Sequence, residues 1–323
     1  MLFPLHWLFL FTLVLGSLIA INATSWLIAW VGLEVNLLSI LPIMAGEKTK
    51  GSSESCMKYF LVQSMASLLI LISSVFILST LLFNSLTIVL IGLSIKLGVA
   101  PFHYWFPTVM EGVSWFNCMI LMTWQKLAPL FLVSFTEIML IFIIVTSLVG
   151  AVGGFGQFSV SSILAFSSIN HVGWMLAGML WGIKVSLCYF SIYFLMSFMI
   201  VMFFYYYKLF YVSQFGYLSY SLKIISLVNL LSLGGMPPFL GFFPKWLVIE
   251  KLLWSSFFLS LILIFSSLVS LYFYLRLVYP SMLLEFVGSE ILLGGTSGAP
   301  FIVLLSFFFS SGGFFLYPLL SSI

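Results

Sequence analysis

Residues 96–107 read KLGVAPFHYWFP, within an apolar run of the length that crosses a bilayer. Pro101 cannot donate a backbone hydrogen bond to the carbonyl of Leu97, and Gly98 adds conformational freedom at the same point. The stretch therefore predicts a helix that breaks just after Lys96. Irregular backbone at membrane depth is tolerated only where it packs against protein or lines a hydrated cavity. We therefore expect a transmembrane helix that is opened beside a charged side chain.

Residues 234–246 read GGMPPFLGFFPKW and predict a second interrupted helix. Their three prolines and three glycines exclude a straight helix, and Lys245 lies near the end of the stretch. A third element, residues 124–129, reads WQKLAP, and Pro129 removes a backbone hydrogen bond next to Lys126. Two broken helices in different halves of a chain are typical of inverted-repeat transporters, whose ion sites form at the breaks.

The composition is that of a polytopic membrane protein. The chain has 323 residues, is 63% hydrophobic and 6% charged, and has a mean hydropathy of +1.26. Lipid leaves only helices and closed barrels as spanning structures, and runs such as 138–149 lack the alternation of barrel strands. We therefore predict an all-α protein with about eleven transmembrane helices. The predicted spans lie at roughly 3–21, 25–44, 56–80, 86–112, 115–134, 137–157, 160–181, 184–207, 221–250, 256–279 and 299–319.

The polar part of the sequence is too small for a cofactor domain. The net charge is +3 with scattered Lys and Arg, which does not favour nucleic-acid binding. The longest polar connections are residues 46–55 and 208–221, and the three cysteines have neither metal nor disulfide spacing. The glycine-rich residues 150–156 follow no strand, which favours close helix packing over phosphate binding. We therefore assign residues 1–323 to a single transmembrane domain without a nucleotide or iron–sulfur site.

The distribution of positive charge predicts the orientation in the membrane. Even-numbered loops, which share the side of the N-terminus, hold Lys48, Lys50, Lys58, Lys208 and Lys223, whereas odd-numbered loops hold Lys184 and Lys251. By the positive-inside rule, the N-terminus faces the matrix or the cytoplasm. Residues 1–15 contain no Lys or Arg, so they are predicted to form the first span instead of a signal or transit peptide. This favours synthesis inside an organelle, with a bacterial source as the open alternative.

Four charged residues lie inside predicted spans: Glu34, Lys96, Lys126 and Lys245. A charge at mid-bilayer costs about 2.5–3.5 kcal/mol on insertion scales, so such residues usually line ion paths or pair inside a bundle. Glu34 shares a helix face with the tryptophans four and eight residues before it, which argues against a lipid-facing position. Burial favours the uncharged forms of lysine and of a carboxyl group, and a nearby opposite charge reverses this, so such groups can exchange protons near neutral pH.

We predict that protons pass along the three lysines in chain order and that Glu34 modulates Lys96. His103 and His171 are candidate relays, because imidazole changes charge at physiological pH. The structural alternatives are static salt bridges for the lysines and a neutral, hydrogen-bonded packing role for Glu34. For His171 the alternative is an interhelical hydrogen bond, and for His103 it is a cap on the broken helix.

The motifs at these positions resemble the NADH dehydrogenase subunit 2 family, the mitochondrially encoded antiporter-like membrane subunits of NADH:ubiquinone oxidoreductase (complex I). They occur in the family's order between about residues 25 and 250, and their combination is far more specific than any one motif. The motifs are WVGLEVN at 30–36, KLGVAPFH at 96–103, WQKLAP at 124–129, SSINHVGW at 167–174, and GMPP with PKW at 235–238 and 244–246. One departure is Ser161-Ser162, where the family usually has a basic pair.

The resemblance implies an antiporter-like fold with two inverted five-helix repeats and two discontinuous helices. It implies a subunit of the H+-translocating NADH:ubiquinone reductase, in the mitochondrial inner membrane with the N-terminus on the matrix side. The implied proton-path residues are Glu34, Lys96, Lys126 and Lys245. No cofactor is implied on this chain, since NADH, FMN, iron–sulfur clusters and ubiquinone belong to other subunits. The implied partners are other membrane-arm subunits, including neighbouring antiporter-like subunits, and membrane lipid, with no nucleic acid.

Two other functions stay open on the sequence. A cation/proton antiporter subunit would share the fold and the lysines, although such chains are normally longer. A non-conducting scaffold that only tethers its neighbours would not need mid-span charges, because apolar side chains pack as well at lower cost.

Overall fold

The computed structural model describes residues 3–46, 49–78, 85–136 and 140–283, and within these ranges the chain is almost entirely helical. Apart from an isolated bridge between Ser159 and Tyr211, the described residues form no β-structure. The helices are α1 Phe3–Ile21, α2 Trp26–Ala45, α3 Lys50–Leu78, α4 Ser85–Leu97, α5 Trp105–Gly112, α6 Trp115–Met122, α7 Trp124–Val133, α8 Leu140–Gly153, α9 Val160–Met179, α10 Ile183–Tyr207, α11 Tyr220–Gly234, α12 Phe242–Leu253 and α13 Phe257–Leu283. A 3-10 helix, Val212–Tyr217, precedes α11.

The chain divides into two compact units between Phe142 and Ile143, near the start of α8. The first unit holds α1 to α7, and the second holds nearly all of α8 and the helices that follow it. In each unit the fourth predicted span is an interrupted helix, α4 with α5 in the first and α11 with α12 in the second. This order agrees with two five-helix repeats. The two five-helix repeats, their inversion and the assignment of residues 1–323 to one domain stay predictions.

The described helices match ten of the eleven predicted spans. Six helical segments in this part of the chain are long and apolar enough to cross a membrane: Trp26–Ala45, Lys50–Ile77, Trp115–Val133, Val160–Met179, Ile183–Tyr207 and Phe257–Leu277. Four shorter apolar helices accompany them: His6–Ile21, Ser85–Leu97, Leu140–Gly153 and Tyr220–Gly234. The predicted eleventh span, 299–319, lies outside the described residues, so the total of eleven stays a prediction.

Two predictions about the polar connections are wrong. Residues 50–55 belong to a helix instead of a loop, because α3 begins at Lys50. The Ser52 amide donates to the Thr49 hydroxyl at 3.1 Å, and the Thr49 amide donates to the Ser52 hydroxyl at 3.2 Å, a reciprocal cap that starts α3 early. Lys223 is not a loop residue either, since it lies buried in the first turn of α11. The orientation of the chain in the membrane rests partly on Lys223 as a loop charge, and it stays a prediction.

Helices α1 and α2 pack closely because small residues face each other. A Cβ atom built on Gly32 would lie 2.9 Å from the Cα of Ala20, and one built on Gly16 would lie 2.9 Å from the amide nitrogen of Asn36. Small residues let helix backbones approach in a membrane, where van der Waals packing drives their association. This packing positions α2, which carries Glu34.

The close helix packing predicted for the glycine-rich residues 150–156 is confirmed at Gly150. A Cβ atom at that position would lie 2.8 Å from the Cα of Asn170 in α9. Within the second unit, α8 therefore lies directly against the helix that carries His171.

We expect Gly32→Val to destabilise the protein, because the added methyl groups have no room against the backbone of α1. Overpacking of this kind costs about 1–3 kcal/mol, which lowers the apparent Tm of the protein in detergent. Gly156→Val is the matched control, since a Cβ atom at Gly156 meets nothing within 4 Å. Equal apparent Tm values for the two variants would contradict the close packing of α1 and α2.

Candidate functional site

The predicted break after Lys96 is confirmed. Helix α4 ends at Leu97, and Gly98 follows in a left-handed conformation with φ of 72°. The Trp105 indole donates to the carbonyl of Ile95 at 3.1 Å and so satisfies one of the acceptors at the open helix end. Lys96 lies in the last turn of α4 and is only 7% exposed. Residues 97–100, at the start of the opened backbone, are also buried, whereas Pro101 and Phe102 are exposed.

Lys126 also follows an interruption of the helical backbone. Thr123, between α6 and α7, departs from helical geometry with φ of −113° and ψ of −76°. Pro129 lies inside α7, so the interruption falls one turn before the lysine instead of at the proline. The Lys126 side chain is 2% exposed, and its Nζ lies 4.7 Å from the centre of the Phe106 ring, within cation–π range.

Lys96 and Lys126 line the same small cavity in the first unit. The cavity offers about 10 Å³ to the centre of a water molecule, which is room for about one water. Gln125 forms part of its wall and is hydrogen-bonded on both sides, to Asn36 at 3.2 Å and to Tyr59 at 3.4 Å. The lining residues with charged, amide or hydroxyl groups are Asn36, Tyr59, Gln63, Lys96, Gln125 and Lys126.

Glu34, on α2, lies within electrostatic range of Lys96, on α4. Its carboxylate oxygen Oε2 is buried and has no hydrogen-bond partner among the residues that the structure describes. The side chain as a whole is half-buried, as are Trp26 and Trp30 on the same helix face. The predicted influence of Glu34 on Lys96 stays a prediction.

Lys245 caps the second broken helix. Helix α11 ends at Gly234, and Gly235 follows in a left-handed conformation with φ of 78°. The Lys245 Nζ donates to the Gly234 carbonyl at 2.7 Å. A cation suits this position because the C-terminal end of a helix carries partial negative charge. The predicted break is confirmed, and the lysine itself donates to the carbonyl group of the last residue of α11.

His171 belongs to a buried aromatic cluster in the second unit. Its Nδ1 lies 2.8 Å from the Tyr189 hydroxyl, and its ring centre lies 4.9 Å from that of Tyr193. Trp174, one turn further along α9, stacks with Tyr189 at 6.4 Å between ring centres. The Nζ of Lys245 lies 5.7 Å from the centre of the Trp174 ring. His171 and Lys245 therefore belong to one cluster, in which Tyr189 and Trp174 lie between them.

His103 lies in the turn between α4 and α5. It is buried, and its ring centre is 4.2 Å from that of Tyr104. It is not among the residues that line the cavity of Lys96 and Lys126. The structure thus brings His171 into a cluster with a lysine and does not bring His103 to the cavity. The relay roles of both histidines stay predictions.

Sequence reasoning missed the neutral polar residues around the lysines. Gln63 and Gln125 carried a usable signal, because an amide inside an apolar span needs a hydrogen-bond partner. Tyr189 and Tyr193 gave no such signal, since the chain has 14 tyrosines and most of their neighbours in sequence are apolar. Among the described residues, no group of three or more His, Cys or acidic side chains could hold a metal ion.

Comparison with known protein families gives one clear match. The family described as NADH:quinone oxidoreductase/Mrp antiporter, TM, matches residues 23–270. The chain is 47% identical over 294 residues to the NADH-ubiquinone oxidoreductase chain 2 of Anopheles gambiae, and 86% of each chain is covered. It is 42% identical to the protein of the same name from Aedes aegypti, with the same coverage. The corresponding protein of Locusta migratoria is 38% identical and covers 86% of this chain.

Solved structures share the fold at lower sequence identity. A chain of respiratory complex I from Thermus thermophilus has a TM-score of 0.79 at 22% identity, covering 93% of this chain and 75% of that one. A chain of an archaeal membrane-bound sulfane sulfur reductase has a TM-score of 0.83 at 18% identity, with 95% and 72% covered. A chain of an Mrp complex from Dietzia has a TM-score of 0.74 at 18% identity, with 83% and 59% covered. These likenesses concern the antiporter-like fold alone.

We expect Gly235→Ala to displace Lys245, because a Cβ atom at Gly235 would lie 3.0 Å from the Lys245 Nζ. The left-handed backbone adds about 1–2 kcal/mol of strain for a residue with a side chain, so the apparent Tm in detergent falls. Gly234→Ala is the matched control, since its nearest neighbours lie at 3.5 Å and the residue is helical. The same Tm loss in both variants would show that contact with Lys245 does not decide the effect.

Proposed function

The chain belongs to the NADH:quinone oxidoreductase/Mrp antiporter family, and on this premise we propose that it is a proton-translocating membrane-arm subunit of NADH:ubiquinone oxidoreductase (complex I). The observation that carries the proposal is the cavity shared by Lys96 and Lys126. Buried lysines are costly as packing residues, because apolar side chains would fill the same space without a desolvation penalty. Beside a water molecule, by contrast, each lysine can give or take a proton.

We propose one elementary transfer in the first unit. The Lys96 ammonium group gives a proton to a water in the cavity, and that water gives a proton to the neutral amine of Lys126. The transfer leaves Lys96 neutral and Lys126 charged, so the total charge of the pair does not change. A water can serve as the bridge because water-mediated hydrogen bonds are nearly as favourable in enthalpy as direct ones.

Glu34 controls this transfer in our proposal. While it is ionised, its carboxylate attracts the Lys96 ammonium group and opposes departure of the proton. When Glu34 takes up a proton, the attraction ends and the transfer can proceed. The support is the electrostatic action of Glu34 on Lys96 and the unsatisfied, buried Oε2 of its carboxylate.

Lys245 receives the proton in the second unit. Its hydrogen bond to the Gly234 carbonyl suits an ammonium group, because charge-assisted hydrogen bonds are stronger than neutral ones. Loss of the proton weakens the cap on α11, so the proton and the helix end are coupled. His171 is the proposed relay of this unit, through the cluster that it shares with Trp174. The step from Lys126 to Lys245 rests on the order of the lysines in the chain.

The proposal also covers the membrane in which the subunit lies and the partners that it contacts. The chain lies in the mitochondrial inner membrane with its N-terminus on the matrix side. It contacts other membrane-arm subunits, including neighbouring antiporter-like subunits, and lipid. It carries no redox cofactor of its own, so NADH, FMN, iron–sulfur clusters and ubiquinone act in other subunits. The energy for proton movement therefore comes from redox chemistry outside this chain.

A cation/proton antiporter subunit is the second candidate function. The observation in its favour is the fold shared with a chain of an Mrp complex. The two functions differ in what drives the proton. Sodium-driven proton exchange in liposomes, by a preparation without redox partners, would favour the antiporter.

We expect Lys126→Met to impair proton translocation while the enzyme still assembles. The rate of proton translocation per assembled complex should fall by at least about tenfold, since a positioned proton-transfer group typically contributes about 10²- to 10⁴-fold. Lys184→Met is the matched control, because Lys184 is exposed at the start of α10. An unchanged rate of proton translocation per assembled complex in the Lys126 variant would remove this residue from the path.

A double-mutant cycle tests whether Glu34 affects proton transfer through Lys96. We expect Glu34→Gln to slow proton translocation about three- to tenfold. The amide is permanently neutral, so it cannot attract the next proton to Lys96 after each transfer. In a Lys96→Met background the same change should add almost nothing, because its target is gone. Glu54→Gln controls for loss of a carboxylate, because Glu54 is an exposed residue near the start of α3. Additive effects of the two substitutions would show that Glu34 acts independently of Lys96.

A further inference from the structure

We propose that Gln125 is a positioning residue for proton transfer between Lys96 and Lys126, and that its amide holds the cavity wall to which the bridging water binds. This inference rests on the proposed proton path and adds to it the group that orients the water. Gln125 is not titratable, so its role is to fix geometry and not to carry a proton itself.

The hydrogen bonds of Gln125 connect three helices around the cavity. From α7, its Nε2 donates to the Asn36 Oδ1 of α2 at 3.2 Å. The hydroxyl of Tyr59, on α3, donates to the Gln125 Oε1 at 3.4 Å. Asn36 and Tyr59 are themselves buried, so the chain of polar groups crosses an otherwise apolar interior. Each of these side chains lines the cavity of the two lysines.

The amide has hydrogen-bonding capacity beyond these two bonds. A primary amide has two donor hydrogens and two acceptor lone pairs, and the bonds to Asn36 and Tyr59 use one of each. One donor and one acceptor can therefore serve a water molecule. The neighbouring lysines supply the remaining partners, and a buried water typically makes about three hydrogen bonds.

The position of Gln125 in the backbone supports the same role. It immediately precedes Lys126 and lies in the first turn of α7, two residues after the irregular residue Thr123. Fixing the amide to α2 and α3 therefore also fixes the start of the helix that carries Lys126. A side chain that served only as an interhelical contact would need neither the cavity nor this proximity to the lysine.

The test is Gln125→Leu in the assembled enzyme, reconstituted in liposomes. Leucine keeps much of the volume and removes both hydrogen bonds. We expect the rate of proton translocation per assembled complex to fall about three- to tenfold. This is the effect expected when the bridging water loses roughly one hydrogen bond, the one to the amide. The slowing in D₂O relative to H₂O should grow, because transfer through the cavity becomes rate-limiting. Gln157→Leu is the matched control, since its Nε2 donates to the Gly153 carbonyl in the second unit.

The outcomes separate a positioning role from a purely structural one. A lower apparent Tm with an unchanged rate per assembled complex and an unchanged D₂O effect would overturn the proposal. If Gln125→Leu does not assemble, Tyr59→Phe decides, because it removes only the hydroxyl at one end of the chain. A rate lowered about two- to threefold by Tyr59→Phe supports the proposal, and a normal rate overturns it. Lys126→Met is measured alongside: if that variant also translocates protons normally, the proton path itself fails.

Discussion

The constraint on which this structure depends is the cost of keeping lysines in the apolar interior of a membrane protein. Lys96, Lys126 and Lys245 are all nearly inaccessible to solvent, at 7%, 2% and 5% exposure. A buried ammonium group must find dipoles, rings, charges or water to replace its hydration. The helical backbone is interrupted close to each lysine, where it offers unsatisfied carbonyls or space that a continuous helix would not.

The three lysines meet this constraint in different ways. Lys245 donates to the last carbonyl of α11, Lys126 lies over an aromatic ring, and Lys96 lies within electrostatic range of the Glu34 carboxylate. Lys96 and Lys126 line a common water-sized cavity. The pair in the first unit is therefore suited to exchange a proton directly, whereas Lys245 is suited to couple its charge to the state of a helix end.

The sequence predicted the helical fold and the helix interruptions beside the lysines well, because proline and glycine act through strong local effects. Both broken helices follow from backbone hydrogen bonds that proline cannot make, and the breaks occur where Gly98 and Gly235 adopt left-handed conformations. The capping of α3 by Thr49 and Ser52 was missed, because the same residue types also occur in loops. Tertiary contacts could not be predicted from the sequence, because nothing in the order of the residues indicates that Gln125 contacts Asn36, 89 positions away.

The central claim is that water joins Lys96 to Lys126 in the first unit. It is tested most directly by a structure of the assembled enzyme at a resolution that shows individual waters. We expect ordered water density in the cavity, within hydrogen-bonding distance of the Lys96 and Lys126 Nζ atoms and in contact with the Gln125 amide. A dry cavity, closed by side chains that separate the two lysines, would contradict the proposed transfer.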